Sequence, residues 1–260
     1  MKKKQDYTVE NYHSNESLGG KMSFAVTEAF KLLRTNLEFS FPDQPGCKII
    51  GVAGALKGVG KSLVAVNLAY SFAQTKKRVL LIEADLRMPS VSHKTGLKST
   101  PGLSNILAGM DFEENPIQKY TANMDIIAAG DIPPNPSELL GSQRMEDLLH
   151  SLAKKYDYII LDLPPVIVVS DALVVSKYVN GFVVVIRQNY DEKAALEEMM
   201  RQFSLVKARV LGYVFNGSDE TTGYRYNKSQ KQKYKKYYKN GYYKRYGYYS
   251  NNDEVANDQD

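Results

Sequence analysis

The chain has 260 residues, of which 34 are basic, 29 are acidic and one is a cysteine, Cys47. A single cysteine excludes an internal disulfide, and the three scattered histidines offer no metal-ligand spacing. No apolar run approaches the roughly 18 residues that span a membrane, and the basic start MKKKQDYTVE leads into no apolar stretch. We therefore expect a cytoplasmic chain without a secretory signal.

Charge is distributed unevenly along the chain. Residues 221–252 contain nine Lys or Arg and no acidic residue, which leaves the remainder with 25 basic and 29 acidic residues, a net charge of −4. Ten of the 19 tyrosines lie between Tyr224 and Tyr249, without an apolar period that would build a core. We predict one domain over 22–217, a flexible segment over 1–21 and a disordered tail over 218–260.

Apolar strands alternate with helices through the predicted domain. Helices are predicted over 23–40, 62–74, 103–109, 136–156 with a break near Gly141, 171–179, and 192–206 with Asp191 as its N-cap. Strands are predicted over 47–54, 78–85, 124–130, 157–165, 181–187 and 209–216. Continuously apolar strands alternating with helices indicate an α/β fold with a mostly parallel, doubly wound sheet, whose ligands bind beyond the carboxyl ends of the strands.

A glycine-rich turn, GALKGVGKS (54–62), follows the first predicted strand and precedes a helix. This is the setting of a P-loop, in which backbone amides and a lysine bind phosphate and a serine hydroxyl binds Mg²⁺. The first position of the full pattern is Ala55 instead of glycine, so a glycine turn with a chance lysine stays an alternative. The predicted nucleotide-binding residues are Lys57, Gly58, Val59, Gly60, Lys61, Ser62 and Leu63.

Carboxylates end two neighbouring strands. VLLIEADLR (79–87) places Glu83 and Asp85 at a strand end, and YDYIILDLPP (156–165) places Asp162 at another. Mg²⁺ prefers oxygen ligands and keeps one or two protein carboxylates beside phosphate and water. Asp162 is therefore the predicted metal carboxylate beside the Ser62 hydroxyl, although strand-end acids also serve as helix caps or charge partners.

Several motifs together resemble one family. They are EAFKLLRTN (28–36), the P-loop, IEADLRMPS (82–90), PGLSNILAG (101–109), GDIPPNPSELL (130–140), YDYIILDLPPVIVVSDA (156–172) and the terminal tyrosines. The set resembles the bacterial tyrosine kinases (BY-kinases) of capsular and exopolysaccharide biosynthesis, P-loop NTPases related to the ParA/MinD ATPases. The absence of a fused membrane segment is similar to the Gram-positive arrangement, in which the membrane adaptor is a separate chain.

The resemblance implies ATP and Mg²⁺ as cofactors, autophosphorylation of the tail, and regulation of capsular or exopolysaccharide synthesis and export. It implies catalytic roles for Lys61, Glu83, Asp85 and Asp162. Asp85 and Asp162 would organise the metal with Ser62, partly through water, and Glu83 takes the place of the base that accepts the tyrosine proton. The implied phosphoacceptors are Tyr237, Tyr238, Tyr242, Tyr243, Tyr246, Tyr248 and Tyr249. Implied partners are the adaptor at the inner face of the membrane, a cognate tyrosine phosphatase and further copies of the chain, but no nucleic acid. Asn216 resembles an adenine contact, with a strand-ending turn as the alternative.

The chain departs from the family pattern at several positions. Glu83 replaces the usual aspartate, which displaces the carboxylate by about 1 Å. Lys57 stands where many members have proline. The ring-forming motif Glu-x-x-Arg-x-x-Arg appears as Glu28, Lys31 and Arg34, which is also what a solvated charge series on a helix would show.

The sequence leaves three other functions open. A ParA/MinD-type ATPase would have a signature lysine where this chain has Leu56, and it would leave the tail unexplained. A pseudokinase scaffold would bind ATP without transfer, which the Glu83 and Lys57 departures motivate. A Lys/Tyr tail that grips nucleic acid is the third, although its tyrosines, without Phe or Trp, suit hydroxyl acceptors better.

Overall fold

The computed structural model describes residues 18–19, 22–42 and 45–217. The chain divides into two units, Met1–Gly217 and Ser218–Asp260, and all described residues belong to the first. The predicted tail over 218–260 and most of the predicted segment over 1–21 lie outside the described residues, so these assignments stay predictions.

Seven strands form one sheet. In chain order they are β1 (Lys48–Ala53), β2 (Val79–Glu83), β3 (Ile117–Lys119), β4 (Met124–Ile127), β5 (Tyr158–Asp162), β6 (Gly181–Arg187) and β7 (Val210–Asn216). Their spatial order is β3-β4-β2-β5-β1-β6-β7, and every neighbouring pair is parallel except β3 with β4. The predicted mostly parallel sheet is confirmed.

Helices cover both faces of this sheet. They are α1 (Phe24–Phe39), α2 (Lys61–Ala73), α3 (Val91–Thr95), α4 (Leu103–Ala108), α5 (Pro136–Leu140), α6 (Gln143–Ala153), α7 (Asp171–Val174) and α8 (Lys193–Leu205). Side chains of α1, α2 and α3 share one apolar cluster with the sheet, and those of α4 to α8 share the other. The sheet is therefore doubly wound, as the uninterrupted apolar strands predict.

Helix α2 is the most enclosed of the helices that the structure describes. It lies between the sheet and α1, and Val64, Leu68 and Phe72 are buried against the sheet. Full burial of an aliphatic or aromatic side chain of this size stabilises the fold by about 1.5–3 kcal/mol. The phosphate loop that precedes α2 is consequently attached to one of the firmest parts of the domain.

Three local features differ from prediction or sharpen it. Gly141 does break the helical region, because α5 ends at Leu140 and α6 begins at Gln143. Strand β3 was not predicted, since its three residues pair only through an antiparallel contact with β4. Helix α3 was not predicted either, because the acceptor for its first backbone amide comes from a distant residue, Glu83.

The predicted capping role of Asp191 is wrong. Helix α8 begins at Lys193 with Glu192 as its N-cap, and no side chain caps it. Asp191 instead accepts a 2.6 Å hydrogen bond from the backbone N–H of Arg187. The Asp191 carboxylate closes the turn after β6 through Oδ2, while its buried Oδ1 has no partner among the described residues.

No helix among the described residues is both long and apolar enough to cross a membrane.

Candidate functional site

The carboxyl ends of β1, β5 and β2 meet at one edge of the sheet. Strand β5 lies between the other two, so Asp162 at its end is paired with Glu83 of β2 and with Val52 of β1. The phosphate loop leaves β1 at this same edge. The topology thus brings together the P-loop and the strand-end carboxylates that the sequence places far apart.

The phosphate loop enters α2 through a left-handed residue. Gly60 has φ +99° and is the N-cap of α2, and no side chain caps the first turn. A Cβ at Gly60 would overlap the side-chain amide of Asn216. Glycine is therefore required here both for backbone conformation and for space, and the uncapped amides of α2 are available to an anion.

Lys61 is folded back into the loop. Its side chain is buried, and Nζ donates a 3.1 Å hydrogen bond to the carbonyl of Leu56. Burial lowers the pKa of this ammonium, whereas the carboxylates of Asp162, Asp85 and Asp191 act in the opposite direction. The cation is surrounded by acceptors at the point where phosphates of a bound nucleotide would lie.

Asp162 is buried with unused acceptors. The residue is 1% exposed, and neither carboxylate oxygen has a hydrogen-bond partner. The pKa of this carboxyl is raised to about 7, first by burial and then by the charges of Glu83 and Asp85, while the Ser62 hydroxyl and Lys61 act in the opposite direction. Burying a carboxylate without partners is costly, so its environment suits a cation that would use those oxygens.

The residues present fit Mg²⁺ bound with a nucleotide. Ser62 and Asp162 supply oxygen ligands near each other at the loop, and Asp85 and Asp162 both act on the charge of Lys61. Within the described ranges no group of three His, Cys, Asp or Glu side chains forms a metal site. An ion held by one hydroxyl, one or two carboxylates, phosphate and water needs no such group.

Asp85 closes the turn that follows β2. One of its oxygens accepts hydrogen bonds from the backbone N–H groups of Arg87, at 3.3 Å, and Met88, at 3.0 Å. Burial raises the pKa of this carboxyl, and the two amides and Lys61 lower it. Among the described residues the second oxygen of Asp85 makes no hydrogen bond, so it is available to a cation.

Glu83 lies in the interior. The residue is 0% exposed, and its carboxylate accepts hydrogen bonds from the backbone N–H groups of Ser90, Val91 at 2.5 Å and Ala129 at 3.2 Å. Burial raises the pKa of this carboxyl, while the surrounding amides lower it. Its predicted role as the base stays a prediction, and these surroundings favour a different one.

An ion pair between Arg87 and Asp171 lies beside the site and was not predicted from the sequence. Arg87 donates from Nε to Asp171 at 3.0 Å and from Nη2 at 3.1 Å, and the Ser137 hydroxyl donates to Asp171 at 2.6 Å. The pair joins the end of β2 to α5 and α7. Arg87 lies in the motif IEADLRMPS (82–90) and Ser137 lies in GDIPPNPSELL (130–140). A charged arginine directly after a buried strand indicates that an acidic partner lies nearby, but it does not identify that partner.

Two side chains fasten the phosphate loop from the opposite side. Asn216 donates from Nδ2 to the carbonyl of Val59 at 2.8 Å and accepts from the N–H of Gly217 at 2.9 Å. Arg187 donates to the carbonyl of Gly58 at 3.0 Å. Asn216 thus fits the turn alternative, and its contact with adenine stays a prediction.

The remaining loop residues differ in burial. Val59 is buried, Leu63 is partly buried, and Lys57 and Gly58 are exposed. Exposed Lys57 is therefore free of the core and faces solvent at the loop.

The charged residues Glu28, Lys31 and Arg34 of α1 make two different kinds of contact. Lys31 pairs with Glu28 at 2.7 Å on the exposed surface. Arg34 instead donates to the carbonyl of Ser71 at 2.8 Å, so it fastens α1 to α2. Oligomerisation through these residues stays a prediction, and Arg34 already has a partner within the chain. The predicted phosphoacceptors from Tyr237 to Tyr249 lie outside the described residues.

The chain is similar to known proteins over most of the described domain. The AAA domain family matches residues 47–212. The tyrosine-protein kinase YwqD of Bacillus subtilis is 37% identical over 74% of this chain and 81% of its own length. The tyrosine-protein kinase wzc of Salmonella typhi is 34% identical over 84% of this chain, which spans only 30% of that longer relative.

Solved structures of other proteins are similar to this fold. The kinase domain of the Escherichia coli tyrosine kinase ETK superposes with a TM-score of 0.71 at 34% identity, covering 77% of this chain and 79% of that one. Cobyrinic acid a,c-diamide synthase of Mycobacterium smegmatis, solved with an ATP analogue and magnesium, shares the fold. Its TM-score is 0.59 at 17% identity over 68% of this chain and 75% of its own. The chain belongs to the bacterial tyrosine-protein kinase family, built on a P-loop NTPase fold.

Proposed function

We propose that this protein is an ATP-dependent protein-tyrosine kinase that phosphorylates tyrosines of its own C-terminal segment. The observation that carries the proposal is the buried, unpartnered carboxylate of Asp162 beside Ser62 and Lys61 of the phosphate loop. Relatives described as tyrosine-protein kinases, matched over most of the domain, support the same activity.

The chemistry is phosphoryl transfer. The bond between the γ-phosphorus and the ADP oxygen breaks, a bond to the phenol oxygen forms, and the phenol loses its proton. Such transfer depends on positioning and on neutralising charge more than on covalent catalysis. Bound Mg²⁺ would supply part of that neutralisation, with Ser62, Asp162 and Asp85 as the residues that would hold it. Lys61 and the uncapped amides of α2 would bind the phosphates.

The tail is suited to reach such a site. Its nine basic residues and lack of acidic residues between 221 and 252 favour approach to a site that holds the phosphates of a nucleotide. Each phosphate adds nearly two negative charges, so several would reverse the charge of the segment and weaken that approach. The modified segment would then leave the site or a neighbouring copy.

The cellular setting is a further part of the proposal. The kinase would regulate capsular or exopolysaccharide synthesis, and a membrane adaptor in a separate chain would recruit it to the inner face of the membrane. A tyrosine phosphatase would reset it, and copies of the chain would phosphorylate one another.

The direct test is to incubate the full chain with ATP and Mg²⁺, with and without a candidate adaptor, and to follow intact mass. The wild-type protein should gain several phosphates on tyrosine, and Lys61→Met should gain none while melting at a similar temperature. Equal phosphorylation of Lys61→Met would point to a contaminating kinase. Binding of ATP without any transfer would support the pseudokinase scaffold instead.

A further inference from the structure

Glu83 contacts three separate parts of the chain. It ends β2, while its carboxylate accepts hydrogen bonds from Ser90 and Val91 at the start of α3 and from Ala129 beyond β4. All of these donors are backbone amides, and hydrogen bonds from amides to a carboxylate are among the stronger ones in proteins. The side chain therefore fastens three segments to one another at the edge of the sheet where the site lies.

This contact explains why α3 exists. The helix has five residues, and its N-cap Ser90 makes no side-chain cap hydrogen bond. The first amides of a helix need acceptors from outside it. Glu83 supplies that acceptor from a neighbouring strand, which a reading of local sequence does not reveal.

The turn that Glu83 holds leads to the phosphate loop. The backbone N–H of Ser90 donates to Glu83, while the hydroxyl of Ser90 donates to the Ser62 hydroxyl at 3.0 Å. The Ser62 oxygen has two lone pairs, of which Ser90 uses one, and the other remains available to a cation. Ser62 is itself close enough to Asp162 to affect its pKa.

A role as the base requires a different arrangement. A base must come within about 2.6–3.2 Å of the proton that it takes, directly or through one water. The Glu83 carboxylate is fully enclosed, and backbone amides already use both of its oxygens. A phenol would have to displace α3 before it could reach this group.

We propose that Glu83 is a positioning residue that acts through Ser90 to orient the Ser62 hydroxyl for the cation of Mg-nucleotide. The inference rests on the proposed function, because it assumes that the loop binds a nucleotide with Mg²⁺. Residues that orient a metal ligand without touching the metal typically contribute 10–100-fold to metal affinity. Glu83 and Ser90 should therefore control the Mg²⁺ requirement more than the rate at saturation.

The test measures binding of a fluorescent ADP analogue to the full chain while Mg²⁺ is titrated. In Glu83→Gln the amide nitrogen cannot accept from Ala129, and the apparent Kd for Mg²⁺ should rise about 10–100-fold. Ser90→Ala removes only a hydroxyl and should shift the Mg²⁺ titration in the same direction, so it serves if Glu83→Gln folds poorly. Because both act through one contact, the double variant should be less impaired than the product of the single effects. Ser92→Ala in α3 and Glu197→Gln on the exposed face of α8 are the matched controls.

Phosphotyrosine formation separates positioning from base catalysis. If Glu83 positions Ser62, Glu83→Gln should recover most of the wild-type rate at saturating Mg²⁺ and ATP. A rate that stays low while Mg²⁺ affinity equals wild type, with Ser90→Ala unaffected, would overturn the inference and identify Glu83 as the base. If the wild-type chain itself gains no affinity from Mg²⁺, the proposed function fails as well, so the two failures are distinguishable.

Discussion

Asp162→Asn should stabilise the nucleotide-free protein at alkaline pH. Asp162 is buried and its oxygens have no hydrogen-bond partners, so its ionised form opposes folding. The substitution keeps the shape of the side chain and removes the charge. It should also weaken Mg-dependent nucleotide binding, because the amide is a poorer ligand than the carboxylate.

The size of the effect follows from the pKa of Asp162, which is 3.8 when unperturbed and about 7 in the fold. A group with a raised pKa contributes stability that is complete below the unfolded pKa and is lost as the pH rises through the folded pKa. At about 1.4 kcal/mol per pKa unit, the raised pKa removes about 4 kcal/mol of stability near pH 8 and about 2 kcal/mol near pH 5. The advantage of Asp162→Asn should therefore grow by about 2–3 kcal/mol between those pH values.

Urea unfolding at the two pH values, with a chelator and no nucleotide, measures this difference. Any cost of burying the asparagine amide is the same at both pH values and cancels. Glu197→Gln is a suitable control, since it removes one carboxylate from an exposed ion pair on α8. Parallel pH dependence of wild type and Asp162→Asn would refute the reasoning, because it would mean that Asp162 is not held uncharged by burial.

Other contacts make separate predictions. Gly60→Ala introduces a Cβ at φ +99° against Asn216 and should cost about 1–2 kcal/mol in unfolding experiments while weakening nucleotide binding; unchanged nucleotide affinity would contradict the described loop. Asn216→Ala removes the hydrogen bond to Val59 and should weaken nucleotide binding by about 1 kcal/mol in a fluorescence titration, with no effect as the contrary result. Arg87→Ala leaves the 0% exposed Asp171 side chain with the Ser137 hydroxyl but without its cationic partner, and should cost about 3 kcal/mol of stability. Asp171→Ala should cost less in the same urea experiment, because the 37% exposed Arg87 side chain can hydrate; the opposite ranking would refute this account of the pair.

Much of the fold was predictable because its signals are local. Uninterrupted apolar runs predicted the six parallel strands, and Gly141 marked the break between α5 and α6. Strand β3 could not be predicted, because three residues carry too little pattern and pair only with a distant partner in β4. Helix α3 was missed for a similar reason, since its first amides are satisfied by Glu83 of a neighbouring strand.

Some residues of the site could be predicted from local motifs, and others could not. The motifs that contain Lys61, Ser62 and Asp162 predict phosphate and metal binding from residue type and spacing. The fold brings these three residues together. The direction in which Glu83 points depends on α3 and Ala129, which the motif does not encode. The pair formed by Arg87 and Asp171 joins residues 84 positions apart, so only the folded chain shows it.

The most direct test of the central claim is transfer of phosphate from one copy of the chain to the tail of another. A full-length enzyme with all seven predicted tyrosines between 237 and 249 changed to phenylalanine is mixed with full-length Lys61→Met, ATP and Mg²⁺. Mass spectrometry of the Lys61→Met chain should then find phosphotyrosine within 237–249, and omission of the enzyme should abolish it. Nucleotide binding by the enzyme with no phosphotyrosine on the Lys61→Met tail, at any adaptor concentration, would contradict transfer to a neighbouring tail.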